Sequence, residues 1–166
     1  MNMTARMIAT VAGIGYLRPA PGTWGSLAAL PLGWALHMLG GFPLLVLGVA
    51  ASFFAGWWAT RVMTKGAEDH DPSEIVIDEV AGQWIALLPL SYPAWQMGIP
   101  MSALWPGWVA AFVLFRLFDI TKPGPVGWAD RRNDALGVML DDVIAGVLAA
   151  ICVLLLAGLA HGVFGV

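Results

Sequence analysis

Two pairs of adjacent carboxylates, Asp78-Glu79 and Asp141-Asp142, each stand at the edge of a long apolar run of this 166-residue chain. Acids leading into apolar helices are costly to place, so they mark function more often than not. If the two helices are neighbours, hard oxygen ligands converge on one point. Such a set suits Mg2+ or Mn2+, with water and a phosphate completing the shell. Glu74, one turn before Asp78, is a candidate outer ligand. Cations accompany the acids at Arg116, Lys122, Arg131 and Arg132. A phosphomonoester dianion must be neutralised as water attacks it, which metal ions and Arg or Lys accomplish together. Lys122 and Arg116, or Arg131, are therefore the candidate phosphate clamp. Asp119 lies three residues after Arg116 and has three readings: a further ligand, a general base for the attacking water, or only the ion-pair partner of Arg116. Gly22, Thr23, Gly25 and Ser26 offer backbone N–H groups and two hydroxyls at a helix start, a seat for an anion.

Plainer roles compete. Asp71-Pro72-Ser73-Glu74 has the form of a capping box, with Asp71 at the N-cap, Pro72 at N1 and Glu74 at N3. Asp71 reads better as that cap than as a ligand, and Asp78 and Glu79 then fall a turn or more inside the helix. Asp141 and Asp142 are expected to open the last helix, where its dipole favours them, and capping competes for one of the two. Ser and Thr cap helices routinely. Arg131 and Arg132 also suit a juxtamembrane position facing anionic lipid heads. His37, His70 and His161 are too scattered for a zinc site. His70 is either a proton-transfer or outer group beside the acids or a solvated loop histidine.

The elements that must position these groups are apolar. Residues 19–60, 80–115 and 143–166 contain no Lys, Arg, Asp or Glu, and all nineteen formal charges fall outside them. Charged residues make up 11% of the chain and mean hydropathy is +0.77, far from the soluble pattern of roughly a quarter charged. A span needs roughly 20 apolar residues, so the three gaps hold two, two and one. Gly40-Gly41-Phe42-Pro43 divides the first gap into runs 24–39 and 43–60, and Pro31 makes the first of these a candidate for a kink or a re-entrant segment. Pro89, Pro93, Gly98 and Pro100 divide the second gap into 80–90 and 102–118. The last gap reads as one helix over 143–160. The expected fold is an all-α integral membrane protein in one domain over 1–166, with about five membrane helices arranged as two hairpins and a C-terminal span. Arg18, Arg61, Lys65, Arg116, Lys122, Arg131 and Arg132 lie at the outer ends of the hairpins, which places every charge on the cytoplasmic side. Residues 7–17 are expected to form a short non-spanning helix rather than a cleaved signal. The lone Cys152 excludes an intramolecular disulfide, and a net charge of −3 gives no case for nucleic acid.

Four blocks in order carry a resemblance: Ala-Pro-Gly-Thr-Trp-Gly-Ser over 20–26, Asp-Pro-Ser-Glu-Ile-Val-Ile-Asp-Glu over 71–79, Phe-Arg-Leu-Phe-Asp-Ile-Thr-Lys-Pro over 115–123, and Asp-Arg-Arg with Gly-Val-Met-Leu-Asp-Asp over 130–142. Together they resemble phosphatidylglycerophosphatase A; Asp134 falls in a stretch between motifs and carries little weight. The resemblance implies a helical, Mg2+-dependent phosphatase of the bacterial inner membrane. It would convert phosphatidylglycerophosphate to phosphatidylglycerol and phosphate, the last step of phosphatidylglycerol synthesis. The chain has no Cys-x5-Arg loop, no acid-phosphatase histidine pair and no Asp-x-Asp nucleophile start. Attack by metal-activated water is the preferred mechanism, with an aspartyl-phosphate intermediate left open.

Two rivals differ in class. A CDP-alcohol phosphotransferase would share the helices and Asp-bound metal, but only Gly137-x3-Asp141 echoes its motif. A small ion- or proton-coupled transporter would need acids in mid-span, and the charge-free gaps hold none. A reporter fused to the C-terminus is expected to signal from outside the cytoplasm; a cytoplasmic signal would overturn the five-span arrangement.

Overall fold

The computed structural model describes residues 2–66 and 71–164, the side chains of 161–164 excepted, and is all-helical over those residues. His70 and the side chain of His161 lie outside them. Helix α1 spans Met3–Ala9, α2 Pro21–Met63, α3 Ile77–Met97, α4 Trp105–Thr121, α5 Pro125–Asp130 and α6 Ala135–Phe164, with 3-10 turns at Ile14–Tyr16 and Met101–Leu104. Three segments are long and apolar enough to cross a membrane: Pro21–Met63, Met101–Thr121 and Ala135–Ala160.

The first of these is two limbs. Gly40 and Gly41 leave helical geometry, and Gly41 has φ +64°, a conformation that glycine adopts without penalty. Gly41 also packs so closely on the Trp95 indole that no Cβ fits. Beyond it the chain folds back, because Gly48 lies against Leu36, whereas residues twelve apart in a straight helix are roughly 18 Å apart. The backbone keeps helical dihedrals through Pro31, so no re-entrant turn forms at that residue.

Helix α3 is the axis, packing against α2, α4 and α6. Gly25, Gly33 and Gly41 meet Val76, Trp84 and Trp95 in turn, so the first limb of α2 runs alongside α3; Gly56 on the second limb has returned to Ile77. Gly107 near the start of α4 meets Leu90, while Arg116 near its end reaches Glu79, so α4 runs the opposite way. Helix α6 crosses α3 at backbone contact. A Cβ on Gly82 would lie 2.5 Å from both the Asp142 carbonyl oxygen and the Phe115 ring, and one on Gly146 would overlap the Gly82 carbonyl. Small residues permit such approaches between apolar helices. All the helix ends that carry acids and cations thus gather at one end of the bundle. Leu32, Trp34, Leu47, Phe54, Val113, Ile151, Leu154 and Leu155 stay exposed along its flanks, a lipid-facing pattern.

Several expected boundaries move. Helix α3 begins at Ile77 with Val76 at its N-cap, so the proposed capping box does not form and Asp78 and Glu79 occupy the first turn. The Ala9 carbonyl accepts the Val76 N–H at 2.9 Å and holds the preceding residues in an extended turn. Pro89 and Pro93 lie inside α3, which ends only at Gly98, where φ is +66°; neighbouring helices shelter the backbone groups that proline leaves free. Helix α6 begins at Ala135, and Asp134 accepts the Gly137 N–H at 2.6 Å. Asp134 therefore does the capping expected of Asp141 or Asp142, which lie almost two turns inside.

Gly82→Ala should lower stability by about 1–3 kcal/mol through overpacking, read as a lower Tm in detergent. Gly158 has nothing within 4 Å of a built Cβ, and Gly158→Ala should leave Tm unchanged. Equal behaviour of the two would refute the α3–α6 contact.

Candidate active site

Five parts of the chain meet at the polar end around a cavity of about 300 Å³. The start of α2 contributes Ala20, Pro21 and Gly22. The turn before α3 contributes Asp71, Ser73 and Ile75, and α3 contributes Asp78 and Glu79. The end of α4 brings Arg116, Asp119 and Lys122, and α6 brings Asp141 and Asp142. An adjoining cavity of about 210 Å³ shares Asp71 and Asp141 and adds Asp130, Asn133 and Asp134.

The two acidic pairs have the same local geometry. Asp78 Oδ1 accepts the Glu79 N–H at 3.0 Å, and Asp141 Oδ1 accepts the Asp142 N–H at 3.0 Å. In each pair, one carboxylate is tied to a cation from the end of α4. Arg116 Nη1 lies 3.4 Å from Glu79 Oε1 and 2.6 Å from Asp119 Oδ2, and it donates to Ser26 Oγ at 3.4 Å. Lys122 Nζ donates to Asp141 Oδ2 at 3.1 Å and also to Asp130. Lys122 itself sits in left-handed geometry, φ +46° and ψ 53°, as the C-cap of α4. A non-glycine residue persists there where its surroundings over-determine it, and two carboxylates holding its ammonium do so. Partial burial acts to lower the Lys122 pKa, but the hydrogen bonds and charges of Asp130 and Asp141 outweigh it and raise the net value. The side chain therefore stays cationic. At the rim, a hydrogen bond from Arg132 is the main cause of a lowered Asp134 pKa.

The positions singled out from sequence divide. Asp78, Glu79, Arg116, Asp119, Lys122, Asp141, Asp142 and Gly22 line one cavity; Glu74, Arg131, Thr23, Gly25 and Ser26 do not. Gly22 and Gly25 make room for Glu79: a Cβ on Gly22 would overlap Glu79 Oε1, and one on Gly25 would lie 2.9 Å from Oε2. Ser26 is buried, donating to the Gly22 carbonyl at 2.9 Å while accepting from Arg116. Arg131 is exposed at the end of α5. Two residues given no site role from sequence stand here: Asp71, read as a cap, and Asp130, a partner of Lys122. Their signal lay in the motif blocks, but a cap and a loop acid look alike until the chain folds.

The donor set fits a hard divalent cation. Six carboxylates line the main cavity against two cations, and Glu79 Oε2 is buried with no hydrogen-bond partner. A buried, unpartnered carboxylate oxygen is expensive unless a cation meets it. Among the described residues, no three His, Cys, Asp or Glu side chains stand ready-made around one metal-sized point, so side-chain rotation would have to complete such a site.

A family model described as phosphatidylglycerophosphatase A matches residues 7–157. A protein of that name from Haemophilus influenzae is 38% identical over 149 residues, covering 89% of this chain and 85% of its own. Another of that name from Escherichia coli is 38% identical over 152 residues, covering 90% and 81%. A Bacteroides thetaiotaomicron protein, provisionally named a phosphatidylinositol-3-phosphatase, is 39% identical over 152 residues, 89% of each chain. No solved structure matches.

A lysine whose pKa is raised contributes stability that is fully present below its unfolded value, near 10.4, and that is lost only as pH rises through the folded value. Lys122→Met should therefore be less stable by on the order of 1–3 kcal/mol, with a Tm deficit that is not lost as pH rises from about 7 to about 9. Convergence of the two Tm curves in that window would show that Lys122 titrates lower.

Proposed function

The chain belongs to the phosphatidylglycerophosphatase A family, and we propose that it hydrolyses the terminal phosphomonoester of phosphatidylglycerophosphate. The products are phosphatidylglycerol and inorganic phosphate, and the reaction is the last step of phosphatidylglycerol synthesis. Its setting is a bacterial inner membrane, with the cavity on the cytoplasmic face. The observation that supports this most is the meeting of both acidic pairs with Arg116 and Lys122 in one cavity where apolar helices end. A phosphate on a lipid headgroup lies at that depth.

Asp78, Glu79, Asp141 and Asp142 would hold Mg2+, with Glu74 outside the cavity as seen. When bound, the ion supplies charge neutralisation for the phosphate and acidifies water. The remaining work belongs to the chain. Arg116 and Lys122 exchange carboxylate contacts for phosphate oxygens and stabilise the charge that builds as the water oxygen bonds to phosphorus and the glycerol oxygen departs. Asp119 orients Arg116 through its 2.6 Å contact and would accept a proton from the attacking water. The glycines at 22 and 25 let Glu79 sit against the α2 backbone. The apolar flanks of the bundle keep the acyl chains in lipid while the headgroup enters the cavity.

Purified protein should release phosphate from phosphatidylglycerophosphate with Mg2+ and not in its absence. Asp78→Asn and Asp142→Asn should each lower the rate at least about 100-fold, the loss that follows removal of key electrostatic groups. Full activity of both variants would remove the metal site from this reading. Preference for phosphatidylinositol 3-phosphate in a lipid panel would move the headgroup assignment, and reaction with CDP-linked lipids or ion flux in liposomes would replace the class.

A further inference from the structure

Among the described residues, 2–18 contribute no side chain to the cavity, yet they hold the turn that does. The Ala9 carbonyl takes the Val76 N–H, and Arg18 Nη1 donates to Ser73 Oγ at 3.1 Å. Gly15 packs so tightly on the Glu74 backbone that a Cβ would overlap its carbonyl oxygen. Ile75 shares a buried cluster with Ala5 and Ala9, against which Ile8 and Val11 pack. Between these contacts the chain makes a forced turn: Val11, Ala12 and Gly13 have φ of 48°, 55° and 97°. A β-branched residue in left-handed geometry is held there only by its surroundings. Thr10 locks the turn, donating to the Arg6 carbonyl at 2.9 Å and accepting the Gly13 N–H at 3.0 Å.

The opposite face of this segment is apolar and cationic. Met3, Met7, Tyr16 and Leu17 are exposed, Arg6 stands beside Tyr16, and the sequence of residues 1–18 holds no acid. Arg6 Nε donates to the Tyr16 hydroxyl at 2.5 Å, with its guanidinium 5.1 Å from the ring centroid. An aromatic ring, unbranched apolar side chains and arginine together form the composition that seats at an anionic headgroup layer. The segment leads directly into α2, whose first turns expose Trp24 and Leu27.

We propose that residues 2–18 form a membrane-seated strap. Its outer face docks on anionic phospholipid headgroups, and its inner face fixes the 71–76 turn and so the placement of Asp71 and Ser73 at the cavity mouth. The role in catalysis rests on the cavity being the active site argued above; the seating does not. None of these residues lines the cavity, so they are positioning residues.

The test uses the full chain in nanodiscs of neutral phosphatidylcholine, with or without phosphatidylserine. A nitroxide on Met3→Cys in a Cys152→Ser background reports depth by its accessibility to oxygen and to a water-soluble nickel chelate. The label is expected at headgroup depth, deeper with phosphatidylserine. A combined Arg6→Gln, Met7→Ser, Leu17→Ser variant should bring the label into water and lower phosphate release about tenfold. Its Tm in detergent should fall by no more than the loss of the Arg6–Tyr16 contact, because Met7 and Leu17 are exposed. Gly15→Ala should raise the Mg2+ concentration needed for half-maximal rate about tenfold. A water-exposed label in the parent overturns the proposal. So does an unchanged rate in the combined variant, or a Gly15→Ala protein with the parental Mg2+ requirement. If the parent releases no phosphate from phosphatidylglycerophosphate, the reading of the cavity fails instead, and the depth measurement still decides the seating.

Discussion

The site depends on one crossing, where α3 and α6 touch backbone to backbone at Gly82 and Gly146. Asp78 stands four residues before the first glycine and Asp142 four before the second, so each acid sits one helical turn nearer the polar end on the face that meets the partner. The helices run the same way. Closing the glycine contact therefore forces the acids together whatever their mutual repulsion. Asp142 lies within electrostatic reach of Asp119, Asp78, Glu79 and Asp141, an arrangement that apolar packing along α3 must sustain. The buried side chains deeper along that axis, Ala86, Leu87, Leu90, Ala145, Ala149 and Val153, supply it. A larger residue at either glycine separates the helices and the carboxylates together.

Helix α4 answers the charge so gathered. Running against α3, it brings Arg116 to one acidic pair and Lys122 to the other. The two cations share a short stretch of chain but serve opposite walls. Lys122 reaches across because α4 ends there in left-handed geometry and turns at once through Pro123 and Gly124 into α5. The α5 segment then returns Asp130 to the same ammonium. The loop is held by the charge it helps to balance.

Much of this was legible in the residues. Charge-free runs and glycine breaks predicted the hairpin at Gly40-Gly41 and the gathering of polar ends, because exclusion of charge from an apolar medium acts on sequence directly. Arg116 and Asp119 were readable as a pair from their spacing. Less legible was anything set by contact between distant segments. The helix start moved from Asp71 to Ile77 because the Ala9 carbonyl captures Val76, an interaction across more than sixty residues. Pro89 and Pro93 were read as breaks by the rules of water-exposed helices, which lapse inside a bundle. Gly22 and Gly25 were read as an anion seat, yet their lack of side chains mainly accommodates Glu79. Only the packed neighbour could show that.

The pairing of Arg116 and Lys122 with carboxylates also sets an order of arrival. Both cations are already engaged with carboxylates, and six carboxyl groups line the cavity beside them. A dianionic headgroup approaching such a cavity, under the function proposed above, would meet free positive charge only once a cation entered or an ion pair opened. Under the function proposed above, phosphate would then be the second guest. Once the ester is cut, the carboxylates that hold Arg116 and Lys122 at rest would compete with the free phosphate for its two clamps. The resting ion pairs would then help to expel the product.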